Sequence, residues 1–143
     1  MKICLVEPFH AGSHDAWAEE FSRRSRHKVE LLTLKGRHWK WRMHGGAVTL
    51  ARRFVENRCK PDLLLTSDML DLTTFLALTR EKTAKLPTAL YFHENQLTYP
   101  WSPNGMNPVQ QRAHYAFINY TSALAADAVL FNSRYHLRSE EHT

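Results

Sequence analysis

The densest chemistry in the chain lies in ALYFHENQLTYPW, residues 89–101, where an apolar run ends in His93, Glu94, Asn95, Gln96, Tyr99 and Trp101. A histidine just past a buried strand can donate and accept hydrogen bonds at neutral pH, which suits gripping a polyol. A lone histidine there can equally be structural; the three polar neighbours favour a site. Similar groups recur in EPFHAGSHDAW, with His10, Gly12, Ser13 and His14, then at Ser67, Asp68 and Asp71, and again at Asn132, Ser133 and Tyr135. Between them, KGRHWKWRMHGG interleaves Trp39 and Trp41 with Arg37, Lys40 and Arg42. That mixture of π faces and cations holds unstacked bases and phosphates. The other reading of the same residues puts one Trp into the core and the other over a helix with basic flanks.

Several familiar chemistries are excluded by spacing. The position four after His93 is Leu97, so HEN is not the HExxH of a zinc protease, and FNSRY lacks the glycines of a nucleophile elbow. The first turn has one glycine where a dinucleotide fingerprint wants three, which argues against a nicotinamide cofactor. Gly12 before a helix start could still let backbone N–H groups meet an anion or a sugar hydroxyl, or could simply make a tight turn. Cys4 and Cys59 lack CxxC spacing and read as inert thiols. The net charge of +5 is modest, but residues 35–60 hold eight Lys or Arg against the single acid Glu56, which favours either a polyanionic partner or a solvated basic face. The apolar run before Glu7, residues 3–6, is too short for a signal-peptide core, and nothing approaches a membrane span, so a cytoplasmic protein is expected.

A regular frame must position these groups. At 143 residues, 43% of them hydrophobic, the chain fits one domain with a real core. Residues 3–6, ended by Glu7 and Pro8, read as a strand buried on both faces. Ser13 is placed to cap a following helix. Residues 29–34 make a second strand, and Ala47, Val48, Ala51, Phe54 and Val55 have the spacing of an amphipathic helix. Residues 63–66, 88–92 and 128–131 supply three more strands. Asp71 can cap the helix between the third and fourth, and Asn107 with Pro108 opens the last one. That last helix carries an apolar stripe of Val109, Ala113, Ala116, Phe117, Tyr120 and Leu124. Alternating strands and helices predict an α/β domain with a doubly wound parallel sheet. In such sheets ligands sit beyond the carboxyl ends of the strands, so His14, Trp41, Asp68, His93 and Asn132 are expected around one hollow.

With these segments in place, the chain resembles the tRNA-queuosine α-mannosyltransferase family, through EPFHAGSH, HWKWRMH, TSDMLDLTTFLAL, YFHENQLTYP and VLFNSRYH in matching order. The resemblance implies a glycosyltransferase of family 4 with the GT-B fold, two Rossmann-like domains facing across a cleft, of which residues 1–137 are the amino-terminal, acceptor-side one. It further implies retaining transfer of mannose from GDP-mannose to queuosine in a tRNA anticodon, with no cofactor and no bound metal. The donor nucleotide would be held mainly by the second domain. By the same resemblance His93 is the catalytic candidate beside the donor sugar. Gly12, Ser13, His14, Asp68, Glu94, Asn95, Gln96, Asn132 and Ser133 are substrate-binding candidates, and Trp39, Lys40, Trp41 and Arg42 are the tRNA contact.

Residues 138–143, RSEEHT, depart from the family and read either as a non-native tail from a truncated coding sequence or as a native charged helix start. Two other functions are compatible with the residues: a noncatalytic RNA-binding module, and a family 4 enzyme with a different acceptor.

Overall fold

The computed structural model describes residues 1–94 and 108–141. Five parallel strands, β1 (Lys2–His10), β2 (Lys28–Lys35), β3 (Leu63–Ser67), β4 (Thr88–Phe92) and β5 (Ala128–Phe131), form one sheet in the order β2-β1-β3-β4-β5. Each parallel step requires a crossover, and these are α1 (Gly12–Arg24), α2 (Trp39–Glu56), α3 (Leu72–Thr83) and α4 (Pro108–Ala125). A short α5 (Arg134–Glu141) follows β5. The expected α/β class, with its Rossmann-like doubly wound parallel sheet, is the architecture found.

The two faces of β1 show why its sequence is apolar throughout. Ile3 and Leu5 pack beneath Ala18, Trp17 and Phe21 of α1, whereas Cys4 and Val6 meet Ala47, Leu50, Ala51 and Phe54 of α2 with Leu72 and Phe75 of α3. A strand buried on both faces has no polar register to keep. The chain leaves β1 for β2 on one side and returns to β3 on the other, so the crevice of the sheet opens between the ends of β1 and β3.

Four elements differ from the sequence expectation, each for a local reason. Glu7 and Pro8 do not end β1, which continues to His10 through a register shift between Glu7 and His10. Such an irregularity tolerates a residue without an N–H. Ser13 is not a cap: α1 starts from Ala11 in extended backbone, with Gly12 at φ +58°. The helix read from the spacing at Ala47 starts eight residues earlier and takes in Trp39 and Trp41, since α2 begins at Trp39 from a left-handed His38 at φ 48°.

In α4 the apolar stripe faces outward. Phe117, Tyr120 and Leu124 are 61%, 56% and 69% exposed, while Tyr115, Ile118, Asn119 and Ser122 are buried. Asn119 Nδ2 donates to the Asp68 carbonyl at 2.8 Å, and Ser122 Oγ accepts from Leu72 N–H at 3.1 Å and donates to the Leu70 carbonyl at 3.4 Å. Buried polar side chains win this face because they satisfy backbone groups of the turn after β3 that would otherwise have no partner. Asn107 and Val109, expected at the start of this helix, lie outside the described residues and side chains. The cap expected at Asp71 is present, its carboxylate accepting from Thr74 N–H at 3.2 Å.

Candidate active site

The site is built on the extra length of β1. Glu7 is completely buried, a position that a carboxylate holds only with partners. Its Oε1 accepts from Phe9 N–H at 2.8 Å and its Oε2 lies 3.0 Å from His14 Nδ1. His14, in the first turn of α1, is buried as well. The turn that carries it is held by a close approach: a Cβ on Gly36 would fall 2.1 Å from the Cβ of Ala11. Gly36 N–H also donates to the His10 carbonyl at 3.2 Å, tying the end of β2 to this turn.

Asp68, directly after β3, brings a second buried carboxylate to the same place. Its Oδ1 accepts from His93 N–H at 3.2 Å, and its Oδ2 has no partner. Just past β4, His93 lays its ring against His14, with centroids 3.9 Å apart, and stands edge-on to Trp17 at 4.8 Å. Its Nε2 is buried without a hydrogen bond. Asn132, after β5, donates through Nδ2 to the His93 carbonyl at 2.5 Å.

The protonation states follow from this crowding. Burial lifts the Asp68 carboxyl to about 7, against the pull of the His14 charge and the His93 N–H. Burial and the neighbouring His14 charge drive His93 down to about 3, so its imidazole is neutral. At His14 burial works against the charged form, but the Glu7 hydrogen bond and charge outweigh it, with Asp68 and Glu94 adding to them, and the pKa is raised. A positive charge on this pair of rings therefore falls on His14, beside Glu7, and not on His93.

A cavity of about 440 Å³ opens beside this cluster, lined by Phe9, Ala11, Gly12, Ser13, His14, Trp39, Met69 and Glu94. Four of the expected substrate residues, Gly12, Ser13, His14 and Glu94, thus share one hollow, with Asp68 and His93 packed behind His14. Asn132 reaches the cluster through the His93 backbone, and Ser133 is exposed where α5 begins. Asn95 and Gln96 lie outside the described residues.

The tryptophan segment divides between two environments. Trp39 lines the cavity and packs on Tyr115 at 5.2 Å, with Lys40 Nζ 5.8 Å from its ring. Trp41 is 75% exposed and, with Lys40, His44 and Tyr115, lines a separate hollow of about 460 Å³. Arg42 donates through Nε to the Lys35 carbonyl at 3.1 Å. Helical phase separates the two indoles, which point to different faces two residues apart. Trp41 therefore stands outside the hollow expected to hold all five marker residues.

Two groups among the described residues bring three ligand-type atoms within 4.8 Å of one another: Glu7, His14 and His93, and the more exposed His10, Asp15 and Glu19. In the first the Glu7–His14 contact has hydrogen-bond length, and both Glu7 oxygens are engaged. In the second His10 Nε2 sits 3.2 Å from each carboxylate.

Glu7, Asn119 and Ser122 were not singled out from the sequence. A lone acid inside CLVEPFH, seven residues before a histidine, was the available sign for Glu7. Nothing in the helical pattern marks Asn119 or Ser122, whose partners lie 51 and 52 residues away.

A family model described as the amino-terminal part of tRNA-queuosine alpha-mannosyltransferase matches residues 2–140. A Drosophila melanogaster protein named tRNA-queuosine alpha-mannosyltransferase is 34% identical over 139 residues, which cover 96% of this chain and 35% of that relative. The chain thus spans about a third of the length of the curated relative.

Proposed function

The chain belongs to the tRNA-queuosine alpha-mannosyltransferase family as its amino-terminal domain, and from that premise we propose that it is the acceptor-side half of an enzyme transferring mannose from GDP-mannose to queuosine in a tRNA anticodon. One observation carries the reading: a buried Glu7–His14–His93–Asp68 cluster borders a cavity at the switch point of the sheet, and the basic, tryptophan-bearing start of α2 reaches the same cavity through Trp39. A polyol acceptor needs hydrogen-bonding groups of both senses, and an anticodon loop needs stacking faces beside cations.

Glycosyl transfer passes through a transition state with oxocarbenium character while a diphosphate leaves, so catalysis lies in positioning and in stabilising charge. In this reading the present domain grips the acceptor nucleoside, and the remainder of a GT-B enzyme binds the donor nucleotide and neutralises the leaving group. His93, held neutral and packed against the His14 ring, acts in this reading through His14, which it holds at the cavity wall. The transfer retains configuration at the anomeric carbon and uses neither a cofactor nor a bound metal. The compartment is the cytoplasm, in keeping with described residues that contain no helix long and apolar enough to cross a membrane.

The test uses the complete polypeptide with queuosine-containing tRNA and GDP-mannose, following the mannosylated nucleoside by mass spectrometry. Transfer by the complete enzyme, none by the 143-residue chain alone, and loss of turnover with unchanged tRNA binding on His93→Ala are expected. Turnover unaffected by His93→Ala removes that residue from the mechanism, and tRNA binding without any transfer leaves a noncatalytic RNA-binding module.

A further inference from the structure

We propose that the hollow beside Trp41 is a second base subsite, which takes an unstacked nucleobase of the same RNA strand that places its reacting nucleoside in the first cavity. The inference rests on the tRNA acceptor of the reading above. The second hollow has about 460 Å³, close to the 440 Å³ of the first, and is lined by Lys40, Trp41, His44 and Tyr115. Trp41 is 75% exposed, although an indole is among the side chains that folding usually covers. It lies outside the stripe of Met43, Ala47, Leu50 and Phe54 by which α2 joins the core, so packing of the helix does not explain it.

Tyr115 connects the two hollows. Its ring meets Trp39, which lines the first cavity, at 5.2 Å, and it lines the second together with His44, whose ring is 5.5 Å away. Trp39 and Tyr115 therefore make an aromatic wall between two recesses. Lys40 stands at that wall, its Nζ 5.8 Å from the Trp39 ring, and also lines the second hollow. A strand bent over the wall puts one base on either side of it and brings the intervening phosphate to Lys40. His44 is braced by His114, the rings stacked at 4.6 Å with His114 Nε2 3.3 Å from His44 Nδ1. One nitrogen of that contact donates and the other accepts, which leaves His44 Nε2 for the edge of a base.

The chemistry of the lining selects the occupant. Single-stranded loops are where RNA offers splayed bases, and stacking on an indole tolerates any of them because every base has a π face. The cations that meet phosphates come from the same segment, since residues 35–60 hold eight Lys or Arg against one acid. An acidic peptide would answer the charge and leave the indole bare, so an RNA base is the fuller match. The first cavity then holds the nucleoside that reacts, and the second fixes the loop through a neighbouring base.

The experiment measures binding of the complete polypeptide to queuosine-containing anticodon stem-loop RNA at fixed salt, with mannosyl transfer followed on the same RNAs. Each loop nucleotide flanking queuosine is replaced in turn by an abasic one. Trp41→Ala is expected to weaken binding roughly 5–150-fold, the size of one lost base–aromatic stack. Trp41→Phe, which keeps a π face, recovers most of that loss. One abasic position is expected to cost the wild type a similar factor and Trp41→Ala no more than about twofold, because the base and the indole lose the same contact. Binding of Trp41→Ala within about twofold of wild type, or abasic losses equal in both proteins at every position, overturns the subsite. Transfer separates this inference from the one beneath it. Transfer without coupling between Trp41 and a base keeps the functional reading and removes the subsite, whereas coupling without transfer keeps the subsite and removes the transferase reading.

Discussion

Replacing Asp68 by asparagine isolates the cost of placing a second carboxylate in the cluster. The side chain is buried, one oxygen accepts from His93 N–H at 3.2 Å, and the other has no partner. Asparagine keeps the accepting oxygen and the shape. In the folded chain the carboxyl titrates at about 7 instead of 3.8, chiefly because burial disfavours its charge. The sign follows from proton counting: between those values the folded state binds more protons than the unfolded state, so this group removes stability as pH rises. The penalty is absent below pH 4 and complete above pH 7, where it amounts to about 4 kcal/mol. The new amide leaves an N–H without a partner, at about 1–3 kcal/mol independent of pH. Loss of the Asp68 charge also weakens the hold on protonated His14, which offsets part of the gain. The advantage of the variant over wild type is therefore expected to grow by about 2–4 kcal/mol between pH 4.5 and 8. Urea unfolding followed by tryptophan fluorescence at the two pH values measures it. An advantage equal at both, or a variant less stable at pH 8, refutes the claim that Asp68 is buried at the expense of its charge.

Two further outcomes test the frame around the site. Gly36→Ala puts a methyl 2.1 Å from the Ala11 side chain, and the β1–α1 turn must shift to admit it. A loss of at least about 1–3 kcal/mol is expected, with weaker nucleoside binding in the complete enzyme, whereas a neutral change in urea unfolding would mean that the turn is not clamped there. Cys4, buried in β1 with its thiol pushed up to about 12, should resist a disulfide reagent until the chain unfolds, while half-buried Cys59 reacts slowly in the native state. Counting modified thiols with and without denaturant checks this, and two fast thiols under native conditions would contradict the packing of β1.

Much of the site was visible before any coordinates because the chemistry of an open parallel sheet collects at the carboxyl ends of its strands. His14, Asp68, His93 and Asn132 could be placed together by counting strands alone. The partners within the cluster could not be assigned that way. Glu7 read as a strand terminator because an acid after four apolar residues and before a proline usually is one. Only the irregular continuation of β1 to His10 turns its carboxylate toward His14. Ser13 read as a cap because serine favours that position, and the structure instead begins α1 from Ala11 with a left-handed Gly12.

What the sequence by itself determined is the layout: five strands from their short apolar runs, a parallel sheet from the helices between them, and membership of a family from motifs at the strand ends. These depend on local pattern, which survives in one dimension. Tertiary structure alone decided which face of α4 is buried, which tryptophan reaches the cavity, and which histidine carries the charge. Asn119 and Ser122 turn inward to satisfy the turn after β3, Trp39 and Trp41 part by helical phase, and His14 outcompetes His93 for a proton because Glu7 touches one ring and not the other. Each of those outcomes is set by a partner distant in the chain or by the fold around it, and the physical reason is the same throughout: a buried polar group takes the orientation that satisfies it.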